Sequence, residues 1–268
     1  MPSVGQIIVI AVSIVLFLIG GLISLSRLKF ERAWSRIAAK ACMWSGMTAA
    51  LVGLVWHSMA RQNWQPLEDN FDALIWLALA LAGFVMYVQR TRPLGGLDWF
   101  IMPVVILLLI GAVVIGRTNP QAYDVHRWWT RIHLAGAFGG AAFFAVAAAG
   151  GAMYLVTNYR LRHKVALAGP SMGSLERLEH LMLVAVTLGF ALLTLAAITG
   201  FAEIQLGHSP APLAKIILSA AVWLVYAVVL HSPINPRFRG RRAAMLSIVG
   251  FALMAGTVVA VLLMPSGA

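Results

Sequence analysis

Eight apolar runs of about 18 to 25 residues, separated by short polar links, organise the whole chain of 268 residues. They cover 4–26, 38–58, 71–89, 99–116, 132–156, 179–201, 212–231 and 243–264. A helix rises about 1.5 Å per residue, so about twenty residues cross a hydrocarbon core about 30 Å thick. Each run has that reach. In lipid every backbone polar group needs a partner within the protein, which a helix supplies from its own segment. The pattern predicts an all-α fold, a polytopic membrane protein built as a bundle of about eight transmembrane helices. The longest link, 157–178, is too short for a second folded unit, so a single integral membrane domain is expected over 1–268. The first run continues to Ser26 without a small-residue cleavage pattern and is followed by basic residues. It reads as a retained span and not a removed signal peptide.

Composition agrees and excludes a water-soluble class. Hydrophobic residues make up 61% of the chain and charged residues 11%, and the mean hydropathy is +0.87. The net charge of +11 raises the question of nucleic acid, but its placement answers it. Arg27, Lys29, Arg32, Arg36 and Lys40 flank the first link, and Arg90 and Arg92 the third. Arg160, Arg162, Lys164 and Arg177 belong to the fifth, and Arg237, Arg239, Arg241 and Arg242 to the seventh. Fifteen of the twenty basic residues thus fall on alternate links. The even links carry Arg61, Arg117, Arg127 and Arg131 together with Glu68, Asp69, Asp124 and Glu203. Basic links stay in the cytoplasm, which puts both termini outside. The charge is topological, with anionic lipid as its partner.

Cys42, in the second run, is the single cysteine, so there is no Cys-x-x-Cys for dithiol exchange or thiolate zinc. Nor is there a Cys-x-x-Cys-His for covalent haem. One Gly-x-Ser-x-Gly match, Gly169 to Gly173, lies in a link and reads as a turn, because a nucleophile elbow needs a preceding strand. Gly136 and Gly140 have the small-xxx-small spacing that lets helices approach closely in lipid. Pro103, early in the fourth run, is tolerated or bends that helix locally. Glu203 and Lys215 could pair across the sixth link or sit separately at the water interface. The link before the fifth run holds Tyr123, His126, Trp128 and Trp129, an interfacial aromatic belt or a platform for a flat ligand.

The histidines carry the candidate chemistry. His57 and His133 fall at run ends on one side of the membrane, and His180 and His231 at run ends on the other. Ionisable groups in such positions are functional candidates, and two pairs of imidazoles suit the axial ligation of haem iron. The competing reading makes each an interfacial polar residue; His231 at a helix end can bond the last carbonyls. His126 and His208 lie in outer links and could replace one partner, while His163 in the basic fifth link reads as solvated.

From residue 174 the chain reads Ser-Leu-Glu-Arg-Leu-Glu-His, then Leu-Gly-Phe-Ala-Leu-Leu-Thr-Leu-Ala-Ala-Ile-Thr-Gly at 188–200. Trp223-Leu-Val-Tyr226-Ala-Val-Val-Leu-His231 and Arg-Phe-Arg-Gly-Arg-Arg-Ala-Ala at 237–244 follow. This order resembles the cytochrome c assembly proteins of the CcsA/ResC type, and most closely their short YpjD- and HemX-like inner-membrane relatives. Trp129 to His133 resembles the family's Trp-x-x-x-His segment, and His57, Arg61 and Asn70 to Leu74 resemble its second span and third-span entry. The resemblance covers most of 50–255. It implies a bacterial inner-membrane protein that handles haem, with His133 as an outer ligand, His231 at an intramembrane site, and His57 and His180 as histidines of the short relatives. The family's tryptophan-rich motif, Trp-Gly-x-x-Trp-x-Trp-Asp-Pro-Lys-Glu, falls near 204–216, where only Lys215 is kept. The Gly-x-His-Ser-Tyr context of a second outer histidine has no counterpart in these residues.

The expectation is therefore a non-catalytic accessory to cytochrome c biogenesis or haem metabolism that binds haem b non-covalently. His57 with His133 and His180 with His231 would ligate the iron, and other cytochrome c maturation proteins would be partners. A metal-homeostasis permease using the same histidines, and a structural subunit of a larger membrane complex, are the alternatives.

Overall fold

The computed structural model describes residues 1–26, 33–91, 96–118, 123, 126–163, 174–206, 213–231 and 240–263. Every regular element among them is a helix: α1 Val4–Ser26, α2 Ala33–Arg61, α3 Asn70–Thr91, α4 Leu97–Thr118, α5 Trp128–Arg162, α6 Leu175–Gln205, α7 Leu213–Leu230 and α8 Arg241–Leu263. The eight expected spans are all present. Seven are long and apolar enough to cross a membrane, and in α7 the shorter apolar stretch is Ile216–Leu230. Helices α2 and α5 outrun their apolar cores, because backbone bonding continues past the hydrocarbon where side chains such as Arg36 and Arg160 meet water or headgroups. Pro103 lies inside α4, which runs on unbroken to Thr118.

The chain forms two compact units, Met1–Pro120 with Arg160–Gly173, and Gln121–Tyr159 with Ser174–Ala268. In the first, α1 packs on α2, α2 on α3, α3 on α4, and α4 back on α1. This closed ring of four helices buries Ile10, Phe17, Met43, Phe71, Ile75 and Ile101. The buried positions of α1 are Gln6, Ile10, Ser13, Phe17, Gly20 and Ser24, a recurrence of alternating four and three residues that makes one 3.5-residue seam. Ser13 Oγ donates to the Gly46 carbonyl of α2 at 2.7 Å. Ile8, Val12, Val15, Leu18 and Leu22 are exposed, as a helix in contact with lipid requires.

In the second unit, α6, α7 and α8 pack on one another. Helix α5 meets α6 through its glycines: a Cβ on Gly136 would lie 2.8 Å from the Leu192 carbonyl, and one on Gly140 3.2 Å from that of Gly189. The small-residue spacing thus serves close helix approach. Gly151 packs on Ala244 of α8 in the same way, and Phe144 of α5 stacks on Tyr226 of α7 with centroids 3.5 Å apart. Ser174 caps α6, its Oγ accepting from the Arg177 amide.

Candidate functional site

Two places gather the chemistry, one in each unit. In the first unit, α2 ends with His57 and Arg61, which share a face because they are four residues apart. The link to α3 is folded tightly, with Gln62 and Leu67 in the left-handed region at φ 57° and 63°. It delivers Asp69 as the cap of α3: the carboxylate accepts from the Asp72 amide at 2.8 Å, and the backbone carbonyl from the Ala73 amide. Carboxylates at a helix N-terminus also meet the positive end of its dipole.

Arg61 collects these acids. Its Nη1 lies 3.0 Å from Glu68 Oε2 and 3.3 Å from Asp69 Oδ2, and its Nη2 3.1 Å from Asp72 Oδ2. The Asp72 side chain is 1% exposed. His57 completes the group, with Nε2 at 2.8 Å from Asp69 Oδ2 and Nδ1 at 3.2 Å from Gln6 Oε1 of α1. Its ring meets Phe71 edge-on with centroids 4.7 Å apart. Burial pushes the Asp69 carboxyl up, but the His57 hydrogen bond, the Asp72 amide and the charges of His57 and Arg61 outweigh it. The carboxyl is held below its ordinary value.

At the other end of α1, Ser24 Oγ donates to the buried Asp98 carboxylate of α4 and accepts from Trp99 Nε1–H, the latter at 3.1 Å. Neither this contact nor the role of Gln6 is evident from residue spacing. The signal that does exist is the presence of Gln6, Ser13 and Ser24 inside an apolar run.

In the second unit, His133 lies one and a half turns into α5. Its Nδ1–H donates to the Ala196 carbonyl of α6 at 2.8 Å. The ring rests on Gly200, where a Cβ would fall 2.8 Å from Cε1 and 2.9 Å from Nδ1. Thr130, one turn before, donates to Glu203 of α6. Glu203 is thus engaged across α5 and α6; the Lys215 side chain and His208 lie outside the described residues, as does the Gly-x-Ser-x-Gly turn. Trp128 and Trp129 stack on each other at 3.7 Å, with Trp128 exposed. His180, His126 and His163 are exposed. His231 is exposed too, and its Nδ1 faces the Ala227 carbonyl of its own helix at 2.9 Å, the expected capping bond.

An axial ligand must offer iron a nitrogen lone pair, and metal-binding imidazoles commonly donate their other N–H to a carbonyl or carboxylate. His133 donates its Nδ1–H in this way, and His231 does so with a local carbonyl. His57 differs. Both of its nitrogens face oxygen acceptors, so ligation there would have to break the bond to Gln6 or to Asp69. We assign no iron to His57. The expected outer pair is also divided between the units, His57 in the first and His133 in the second. Among the described residues, no group of three or more His, Cys, Asp or Glu side chains could hold a metal ion.

The chain is similar to the inner membrane protein YpjD of Escherichia coli strain K12, 25% identical over 95% of this chain and 94% of that protein. The same identity and coverage hold for YpjD of E. coli O6:H1 and of E. coli O157:H7. No solved structure matches. The family model described as cytochrome C assembly protein matches residues 64–267, which takes in α3 to α8 and begins between Arg61 and the acids it holds. The chain is a multi-pass membrane protein and belongs to the cytochrome c assembly protein family.

Proposed function

We propose that this protein handles haem as an accessory of cytochrome c biogenesis in a bacterial inner membrane, with both termini outside and the basic links in the cytoplasm. Family membership supports the process, the name of the YpjD relatives supports the membrane, and the alternation of basic links supports the orientation. The single observation that carries the haem reading is the His133 ring, oriented by the Ala196 carbonyl and seated on Gly200. Metal-binding imidazoles commonly hold their other N–H in such a bond, and Nε2 is the atom we assign to the iron. His231, at the end of α7, and His180, at the start of α6, are the residues for a second site. Haem b held by two imidazoles has no open iron position and is suited to storage or transfer and not to oxygen chemistry. The apolar helices keep water from the site, and cytochrome c maturation proteins are the partners this role requires. A synthase step is not part of the proposal, since the stretch 204–216 keeps only Lys215 of the tryptophan-rich motif.

The test is purification in mild detergent from haem-replete cells, with oxidised and reduced absorption spectra and haem quantified against protein. A low-spin spectrum lost in His133→Ala and weakened in Gly200→Ala, whose added methyl displaces the ring, is the expected result. His57→Ala leaves that spectrum in place. A protein without haem after reconstitution, or a spectrum unchanged by His133→Ala, overturns the proposal and favours a structural subunit.

A further inference from the structure

The acceptors around His57 leave its ring little choice. Asp69 Oδ2 accepts from Nε2–H at 2.8 Å. Gln6 Oε1 faces Nδ1 at 3.2 Å and at the same time accepts the Ser3 amide at 2.9 Å. Turning the Gln6 amide to donate to Nδ1 would set its NH2 against the Ser3 N–H, so Oε1 stays where it is and Nδ1 must donate. Both contacts are therefore made together only by a ring carrying hydrogen on each nitrogen.

That charge meets a surplus of carboxylates. Arg61, on the same helix, contributes one positive charge, while the link contributes Glu68 and Asp69 and α3 contributes Asp72. Three carboxylates against one guanidinium leave two negative charges, and a charged His57 reduces them to one. From α3, Phe71 presents its edge to the ring, and from α1 the uncharged Gln6 faces it, bonded in turn to the Ser3 amide just before that helix. Loss of a ring proton would leave the bond to the Asp69 carboxylate and forfeit the one to Gln6, because a nitrogen lone pair would then face an oxygen lone pair. The opposite end of α1 does not depend on this: Ser24 is tied to Asp98 and Trp99 of α4.

We propose that His57 closes a pH-responsive clasp, its charged ring holding the N-terminal end of α1 on α2 and the start of α3, and its deprotonation releasing that end while Ser24 remains attached to α4. The clasp also joins what the family model covers to what it does not. Gln6, His57 and Arg61 precede residue 64, and Glu68, Asp69 and Asp72 follow it. The pH that sets it is that of the compartment facing Gln6 and Asp69.

Hydrogen–deuterium exchange on the full chain in lipid nanodiscs tests this, read for residues 4–10 at about pH 5 and about pH 8, on either side of the imidazole range. Rates are corrected for intrinsic exchange and referred to α8. Protection of residues 4–10 should fall by about tenfold or more at the higher pH, the ratio set by losing one hydrogen bond to a charged group. His57→Gln, neutral at both, should abolish the step. Gln6→Glu, which keeps the acceptor and adds charge, should raise the protection of residues 4–10 at the lower pH. Protection that does not change with pH in the wild type, or an unaltered step in either variant, overturns the proposal; the Gln6→Glu arm decides should His57→Gln not fold.

Discussion

Replacing Arg61 by Met retains the apolar stem of the side chain and removes the one cation shared by three acids. The cost follows from how far each acid is from water. Glu68 and Asp69, with side chains 26% and 21% exposed, are partly solvated, so each of their pairs is worth about 0–1 kcal/mol. Asp72 is 1% exposed, and stripping the partner from a buried charge costs about 3–5 kcal/mol. The Asp72 pair therefore dominates, and Arg61→Met should destabilise the protein by about 3–5 kcal/mol. In an Asp72→Asn background the same substitution should cost only about 1 kcal/mol, because the two remaining pairs are screened. Equilibrium unfolding in mixed dodecyl maltoside and dodecyl sulfate micelles, run as a double-mutant cycle, measures the difference. A coupling of about 2 kcal/mol or more is expected. Additivity within about 0.5 kcal/mol would mean that Asp72 does not depend on Arg61.

Two further outcomes are expected. The Asp69 carboxyl titrates below its unfolded value of 3.8, so the unfolded chain binds its proton first as pH falls. Its stabilising contribution is whole above that value and is lost as pH falls through the lower folded pKa; Asp69→Asn should flatten this acid limb of stability against pH, and an unchanged limb would count against the ion pairing. At Gly136 an added methyl meets the Leu192 carbonyl at 2.8 Å, so Gly136→Ala should cost about 1–3 kcal/mol by forcing α5 from α6. Gly21→Ala, with nothing within 4 Å, should instead stabilise by about 0.5–1 kcal/mol, and the two substitutions compared in one unfolding series separate packing from helix propensity.

The number and order of helices were legible because lipid imposes a minimum apolar length, and no polar insertion in this chain obscures it. The alanines and glycines of α5 likewise announced a close helix contact, which the Gly136–Leu192 approach bears out. The histidines were harder. Position alone made His57 and His133 equivalent, both polar residues at span ends, whereas the partners around them differ: a glutamine oxygen and a carboxylate at one, a backbone carbonyl of α6 at the other. Which hydrogens a ring must carry depends on neighbours brought from α1 and the link before α3, and sequence spacing does not report that. Arg61, four residues beyond His57, and Asp69 and Asp72, three apart at a helix start, were a readable hint. Asp98 paired with Ser24 gave none, being 74 residues away along the chain.

Helix α1 turns its bulky apolar residues outward and keeps Gln6, Ser13 and Ser24 on the inner seam. Hydrophobicity therefore accounts for its insertion into the bilayer but not for where it settles, since lipid satisfies its apolar face as well as protein would. Its address is written in three polar side chains and the glycine at 20, which lets α2 come close at Cys42. Entry into the membrane and docking onto the other helices are thus separable events, governed by different residues. Changes on the outward face can drift with the lipid, whereas a change on the seam misplaces a helix that still crosses the membrane.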